Sequence, residues 1–425
     1  MKFSIWIEQL ISRNQFLHFG SLLTVLHIFG GALGYVYQIV MGRILHPAEF
    51  ALFSAIMALF MFMSAPMGAM SMLIVRKVSA LKAHESLNLF KSLFFRVNKL
   101  LLFFGFAVVI LFWFGGSYFQ RYLKVESMTP IFLFAFILIF SFFIIALMAF
   151  IQGTQRFTLL GSLGVLGVLG KLLIGAGLVE LGFGVEGALL GVLLAMVLIY
   201  MTGIPILFKS LPPQISHRSL HLNLPFLKRA MPVLIAATTF AAMTQLDMTL
   251  VNWYFSPKEA GLYAAASVLG KAVLYLPGGL ILVLFPMVSE GHAKGENSFK
   301  LFRQAVLVTI VACGAITALY WFFGDLIISI LYGENYKGAG AILRWYGLAI
   351  LPLTVVVIAE QYLIAKGQVL FAWIFLLMLP MQLLAIHIWH SEVWMILTIM
   401  GFFGFLLALI GCGLMWREAK LSIVK

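Results

Sequence analysis

The sequence predicts an all-α polytopic membrane protein of about twelve transmembrane helices in two parallel six-helix lobes, and three observations predict it. The chain is 63% hydrophobic and only 10% charged, against about 25% charged for a soluble domain. Its apolar residues fall in runs of about 20, the length that crosses a bilayer as a helix. Its first half also aligns with its second. Strands of a membrane barrel alternate polar and apolar residues, whereas these runs are continuously apolar, which excludes a barrel.

Taken in order, residues 1–16 form an interfacial segment: Phe3, Trp6, Ile7 and Leu10 recur at helical spacing with Lys2, Glu8 and Arg13 between them. Spans then follow near 17–42, 50–74, 98–119, 129–151, 157–179 and 185–208, making a first lobe over 17–208. The basic stretch Arg76 to Lys99 carries Leu89, Phe90, Leu93 and Phe94 and reads as an amphipathic helix on anionic lipid. Residues 209–229 are the longest polar connection and form a cytoplasmic linker. The second lobe, 230–425, holds spans near 230–255, 260–289, 304–324, 341–364, 368–388 and 393–416.

Most Lys and Arg residues lie on the side of the amino terminus, against Arg43, Arg121, Lys124, Lys258, Lys337 and Arg344 on the other. By the positive-inside rule both termini are cytoplasmic. The net charge of +13 is accounted for by topology and contact with membrane lipids, so no nucleic-acid partner is implied. Cys313 and Cys412 fall inside spans and read as small core residues, with no disulfide framework and no metal site.

Shifting the chain by 210 residues aligns Pro47 with Pro257, Glu49 with Glu259, Leu52 with Leu262, Ala55 with Ala265, Leu59 with Leu269, Gly68 with Gly278 and Ser79 with Ser289. Six spans per half give the halves the same orientation. Parallel repeats of this kind are a transporter plan, with the substrate site near the midplane.

Chemistry for catalysis is sparse. Asp247 and Asp325 are the only aspartates, and the chain has no phosphate loop and no paired-aspartate metal motif, so an enzyme and a bound cofactor are not expected. Gly182, Gly184 and Gly187 spell G-x-G-x-x-G, but between two spans and not after a strand, so no dinucleotide site is expected.

Ionisable groups inside spans are the functional candidates, because each costs at least about 2.5 kcal/mol at the bilayer centre. Lys171 and Lys271 lie near mid-depth, one in each half, where a shared cavity would bind an anionic headgroup with help from Arg43. Gln38, Gln245, Asp247 and Glu360 are the polar or ion-coupling candidates. The alternative is that Asp247 and Lys271 are a buried ion pair and that Glu360 reaches the inner interface. Pro66, Pro277 and Pro352, with Pro380 and a row at Gly161, Gly164, Gly167 and Gly170, mark hinges or close helix packing.

The run Gly42-Arg43-Ile44-Leu45-His46-Pro47-Ala48-Glu49-Phe50, then Ala65-Pro66 and Arg76-Lys77-Val78-Ser79, resembles the polysaccharide transporter family, the Wzx-type flippases. So do Ser256-Pro257-Lys258-Glu259-Ala260-Gly261-Leu262-Tyr263, Gly270-Lys271, Leu276-Pro277-Gly278 and Phe285-Pro286-Met287-Val288-Ser289-Glu290. The resemblance covers roughly residues 18 to 365. It implies a V-shaped fold like that of the multidrug (MATE) exporters. It also implies translocation of an undecaprenyl-diphosphate-linked oligosaccharide across the bacterial cytoplasmic membrane for lipopolysaccharide, capsule or exopolysaccharide synthesis. The implied partners are that lipid and the polymerase or glycosyltransferase machinery, and the implied headgroup cations are Lys171 and Lys271. A proton- or sodium-coupled multidrug exporter of the same fold is the alternative.

Overall fold

The computed structural model describes residues 26, 28–83, 89–209, 224–278, 280, 281, 288, 299–366 and 368–424. Among them the chain is helical throughout: α1 (28–44), α2 (Pro47–Ala83), α3 (Phe90–Leu123), α4 (Thr129–Gly153), α5 (Phe157–Leu178), α6 (Gly184–Lys209), α7 (Leu224–Tyr254), α8 (Pro257–Tyr275), α9 (Phe299–Tyr332), α10 (Ala339–Ala365), α11 (Leu370–Ile388) and α12 (Val393–Val424). The interfacial segment expected at 1–16, and most of the linker, lie outside the described residues.

Nine described segments are long and apolar enough to cross a membrane. One of them, Phe157–Lys209, has 53 residues, or about 80 Å of helix at 1.5 Å per residue, more than twice a hydrocarbon core of about 30 Å. The chain therefore reverses within it, at the G-x-G-x-x-G sequence. Gly182 (φ +91°) and Gly184 (φ +48°) take backbone conformations that side chains disfavour, and a Cβ on Gly187 would lie 2.8 Å from the Cβ of Phe183. These glycines make an interhelical turn. The hairpin closes because a Cβ on Gly191 would run into the backbone of Gly175 and one on Gly167 into Ile199.

By packing, the chain divides into two units: 1–44 with 67–223, and 45–66 with 224–425. From sequence, the whole of 17–208 belongs to one lobe; the packing instead assigns Leu45–Pro66 to the second unit. The reason is local. Phe50 is fully buried against Tyr332 and Tyr336, with ring centroids 5.9 and 6.1 Å away, and Gly261 leaves the room that Pro47 occupies. Helix α2 changes units at Pro66.

The basic stretch 76–99 is not a separate amphipathic helix in its described part. Residues 76–83 continue α2 and residues 90–99 begin α3. The apolar face of the latter is covered by protein: Phe90 and Phe94 meet Phe150 at 5.1 Å, and Phe94 meets Phe208 at 5.0 Å. At the same end Lys82 donates to the carbonyl of Thr154 (3.0 Å) and to Gln155 (2.9 Å), a cation at the carboxyl end of α4.

In the second unit, α9 and α10 form a hairpin. Gly340 gives room to Asp325, and the Asp325 carboxylate pairs with Arg344 on the same hairpin. Helices α10 and α12 meet through glycines: a Cβ on Gly404 would lie 2.9 Å from Leu353 and one on Gly411 3.0 Å from Ala359. Large apolar side chains such as Trp113 (72% exposed) and Phe322 (74%) face outward on α3 and α9, which a water-soluble surface would not tolerate but lipid does.

Candidate functional site: two buried lysines and their surroundings

Helix α8 begins with a capping box. Ser256 Oγ accepts from the Glu259 amide (3.3 Å), and the Glu259 carboxylate accepts from the Ser256 amide (3.1 Å) and hydroxyl (2.7 Å), with Pro257 in the first turn. The hydrogen bonds from Ser256 hold the Glu259 carboxyl below its ordinary pKa. Helix α2 begins in a parallel way, with the His46 amide donating to Glu49 (3.1 Å) ahead of Pro47. The repeated Pro and Glu thus have a physical meaning: they start the second helix of each half.

From this start α8 runs to Lys271, whose ammonium donates to Asp247 Oδ1 (3.0 Å) and Gln245 Oε1 (3.1 Å) on α7. The second carboxylate oxygen of Asp247 accepts from the hydroxyls of Tyr263 (2.9 Å) and Tyr346 (2.7 Å). Gln245 is turned by its amide, which donates to the Tyr275 hydroxyl at 2.8 Å. Tyr346 reaches this point because Gly270 leaves room: a Cβ there would enter its ring. Tyr320 donates to the Leu269 carbonyl (2.9 Å) and ties α9 to the same stretch of α8. The side chains of Asp247 and Lys271 are 0% and 10% exposed.

The Lys271 ammonium is engaged by Asp247, the arrangement that the ion-pair alternative describes. Of the other candidates, Gln245 and Asp247 belong to this network, whereas Glu360 is buried on α10 with no ion pair or side-chain hydrogen bond among the described residues.

Lys171, on α5 in the first unit, is half-buried and lies over the ring of Tyr37 on α1, 4.7 Å from its centroid. The Tyr37 hydroxyl reaches the Ala188 carbonyl of α6 at 3.4 Å, so the ring is held by the hairpin on which Lys171 sits. Among the described residues Lys171 has no carboxylate partner. Gln38, next to Tyr37 in sequence, keeps a buried side-chain oxygen without a partner among the described residues. Arg43 is exposed at the end of α1.

Pro66 stands where α2 changes units, Pro277 follows the end of α8, and Pro352 lies inside α10. Three glycines of the α5 row serve packing, Gly161 against Leu26, Gly167 against Ile199 and Gly170 against Ala195, whereas Gly164 faces open space. No group of three or more His, Cys, Asp or Glu side chains gathers among the described residues. Tyr263, Tyr346 and Tyr275 were not singled out from sequence. The signal that finds them is a tyrosine hydroxyl inside a span that also contains, or packs on, an ionisable group.

The sequence profile described as "polysaccharide biosynthesis protein" matches residues 19–292. The chain belongs to this family. No curated protein matches it significantly. Among solved structures, an inward-facing multidrug resistance MATE family transporter of the MOP superfamily is similar with a TM-score of 0.76 and 13% identity, over 92% of this chain and 95% of that one. The lipid II flippase MurJ in an inward closed conformation gives 0.67 and 16%, over 95% and 91%. An outward-facing MATE transporter gives 0.67 and 14%, over 95% and 96%. These likenesses establish the MATE and MurJ fold for this family member, a multi-pass membrane protein.

Proposed function

We propose that the protein is a flippase, with no catalytic role and no cofactor. It moves an undecaprenyl-diphosphate-linked oligosaccharide across the bacterial cytoplasmic membrane by alternating access, for synthesis of a cell-surface polysaccharide. In this reading it crosses the membrane twelve times, six in each lobe, with both termini cytoplasmic, and delivers its product to a polymerase or ligase.

The observation that carries the reading is Lys171. A cation at membrane depth that rests on a tyrosine ring, with no carboxylate beside it among the described residues, is suited to a ligand that brings its own negative charge. A cation–π contact is worth about 0.5–2 kcal/mol, less than the 2.5–3.5 kcal/mol or more that a charge costs at the bilayer centre. A diphosphate supplies the remainder through charge-assisted hydrogen bonds. Arg43 is the second cation for it, and Gln38 a polar contact for sugar or phosphate.

Glu360, buried and without a partner among the described residues, is the group assigned to binding a proton or cation during the cycle. Pro66, Pro277 and Pro352 are the assigned hinges: Pro66 and Pro352 each leave a helix without one backbone hydrogen bond, and Pro277 lies just past the end of α8. The multidrug alternative requires an acidic binding group. Asp247 is already paired with Lys271, which leaves Glu360 as the acid that reading would use.

The test is a strain lacking the gene, complemented with Lys171→Gln. With normal membrane insertion, the variant is expected to leave lipid-linked oligosaccharide on the cytoplasmic leaflet. Wild-type export from a normally inserted K171Q protein overturns the assignment of Lys171, and the absence of any such lipid in the deletion strain overturns the flippase reading itself.

A further inference from the structure

The arrangement around Lys271 contains more than a pair of opposite charges. Two oxygens, one anionic from Asp247 and one amide carbonyl from Gln245, converge on a single point, and each is aimed by a tyrosine. Tyr263 and Tyr346 hold the far carboxylate oxygen, so that Oδ1 faces Lys271. Tyr275 takes the amide hydrogen of Gln245, so that Oε1 faces it too. Gly270 is the space that admits Tyr346. A pair that needed only charge cancellation would need none of these supports.

Carboxylate and carbonyl oxygens held rigidly on one point are the hard donor set that binds alkali and alkaline-earth cations. At that point stands the Lys271 ammonium, 3.0 and 3.1 Å from the two oxygens. We infer that α7, α8 and α10 form an alkali-cation site that is filled by a tethered cation of the protein's own, Lys271. This unit therefore takes up no sodium ion at Asp247. The inference concerns the protein before any substrate binds and is independent of which lipid it moves.

The tether explains a further detail. Each donor is satisfied without solvent: Asp247 has three hydrogen bonds and Gln245 has one at each end, and none of their atoms is left unpaired in the buried interior. An exchangeable ion would need a path for hydrated entry, whereas a side chain that arrives with α8 needs none. Removing the Lys271 side chain then opens the cage without dismantling it, because the tyrosine supports come from other residues.

The experiment is a thermal unfolding series on the purified full-length protein in detergent, in choline chloride or sodium chloride at equal ionic strength. Wild type is expected to unfold at the same Tm in both salts. Lys271→Ala is expected to unfold at a lower Tm in choline, and to be raised saturably by sodium or by methylammonium, a small amine with the ammonium group that the truncation removes. The double variant K271A/D247N is expected to respond to neither.

A wild-type Tm that rises with sodium, in a manner lost in D247N, overturns the inference, because the site would then hold an exchangeable ion. A K271A protein indifferent to both sodium and methylammonium also overturns it, since the pair would then be simple neutralisation. If K271A cannot be purified, Lys271→Ser leaves similar room and gives the same readout. Recovery of folded K271A only when methylammonium is present during purification counts in favour. Uptake of labelled sodium by wild type that depends on Asp247 counts against.

Discussion

Lys171 and Lys271 each lie fourteen residues beyond the first residue of their helices, Phe157 and Pro257, about 21 Å along at 1.5 Å per residue. Their surroundings differ completely. Lys271 has a carboxylate, a carbonyl and three supporting tyrosines; Lys171 has one aromatic face. The first is a finished electrostatic unit whose removal damages the fold. The second has no carboxylate partner among the described residues, and the proposed contact with an anion rests on that. A buried cation thus declares its role through what its neighbours leave undone, and the residue type alone does not.

The largest effect expected from this contrast is on Asp247. Asp247→Ala strands the Lys271 ammonium in the interior, and breaking a buried pair from one side costs about 3–5 kcal/mol. A detergent melt should fall steeply, and the charge-free variant D247N/K271M should recover most of the loss. An unchanged melt for D247A would mean that the pair is open to water.

Lys171 should behave in the opposite sense. Replacing it by Leu removes a charge whose insertion costs roughly 2.5–3.5 kcal/mol, so Lys171→Leu should hold or raise the Tm while export is lost. A K171L protein that melts like D247A would show that Lys171 is structural. Gly270→Ala comes next. The new Cβ enters the Tyr346 ring, and overpacking of this kind costs about 1–3 kcal/mol. Gly164→Ala, where a Cβ meets nothing within 4 Å, is the matched control and should be silent.

Much of the fold is legible in the sequence because bilayer thickness fixes helix length. The spans read at 129–151, 157–179 and 185–208 lie within two residues of α4, α5 and α6. Where a helix outruns the bilayer the reading is short. Helix α2 has 37 residues and α3 has 34, and the extension of α3 hides its apolar face against Phe150 and Phe208, so that stretch resembles a helix lying on lipid.

The pairing of Lys271 with Asp247 appears in the sequence as one of two readings, separated by 24 positions. Which reading holds depends on side-chain direction across α7 and α8. Tyr346 is 99 residues from Asp247, and periodicity within one helix carries no information about that contact. The same limit hides the transfer of Leu45–Pro66 to the second unit, which depends on Phe50 finding Tyr332 and Tyr336.

The smallest expected effect tests the repeat itself. Helices α2 and α8 start on equivalent Pro and Glu residues, but Ser256 completes a reciprocal cap where His46 gives only its backbone amide. Ser256→Ala should therefore lower stability by about 1 kcal/mol, and His46→Ser should raise it by completing the cap at α2.

The pH dependence follows from Glu259, whose carboxyl is held below its ordinary value by the Ser256 bonds. A depressed folded pKa means that the contribution is fully present above the unfolded value of about 4.3 and is lost as pH falls through the folded one. The Tm difference between wild type and Glu259→Gln should accordingly be constant near neutrality and shrink on acidification below that range. A difference that persists unchanged into strong acid would assign the cap to the hydroxyl alone and leave the carboxylate of the repeat without a structural role.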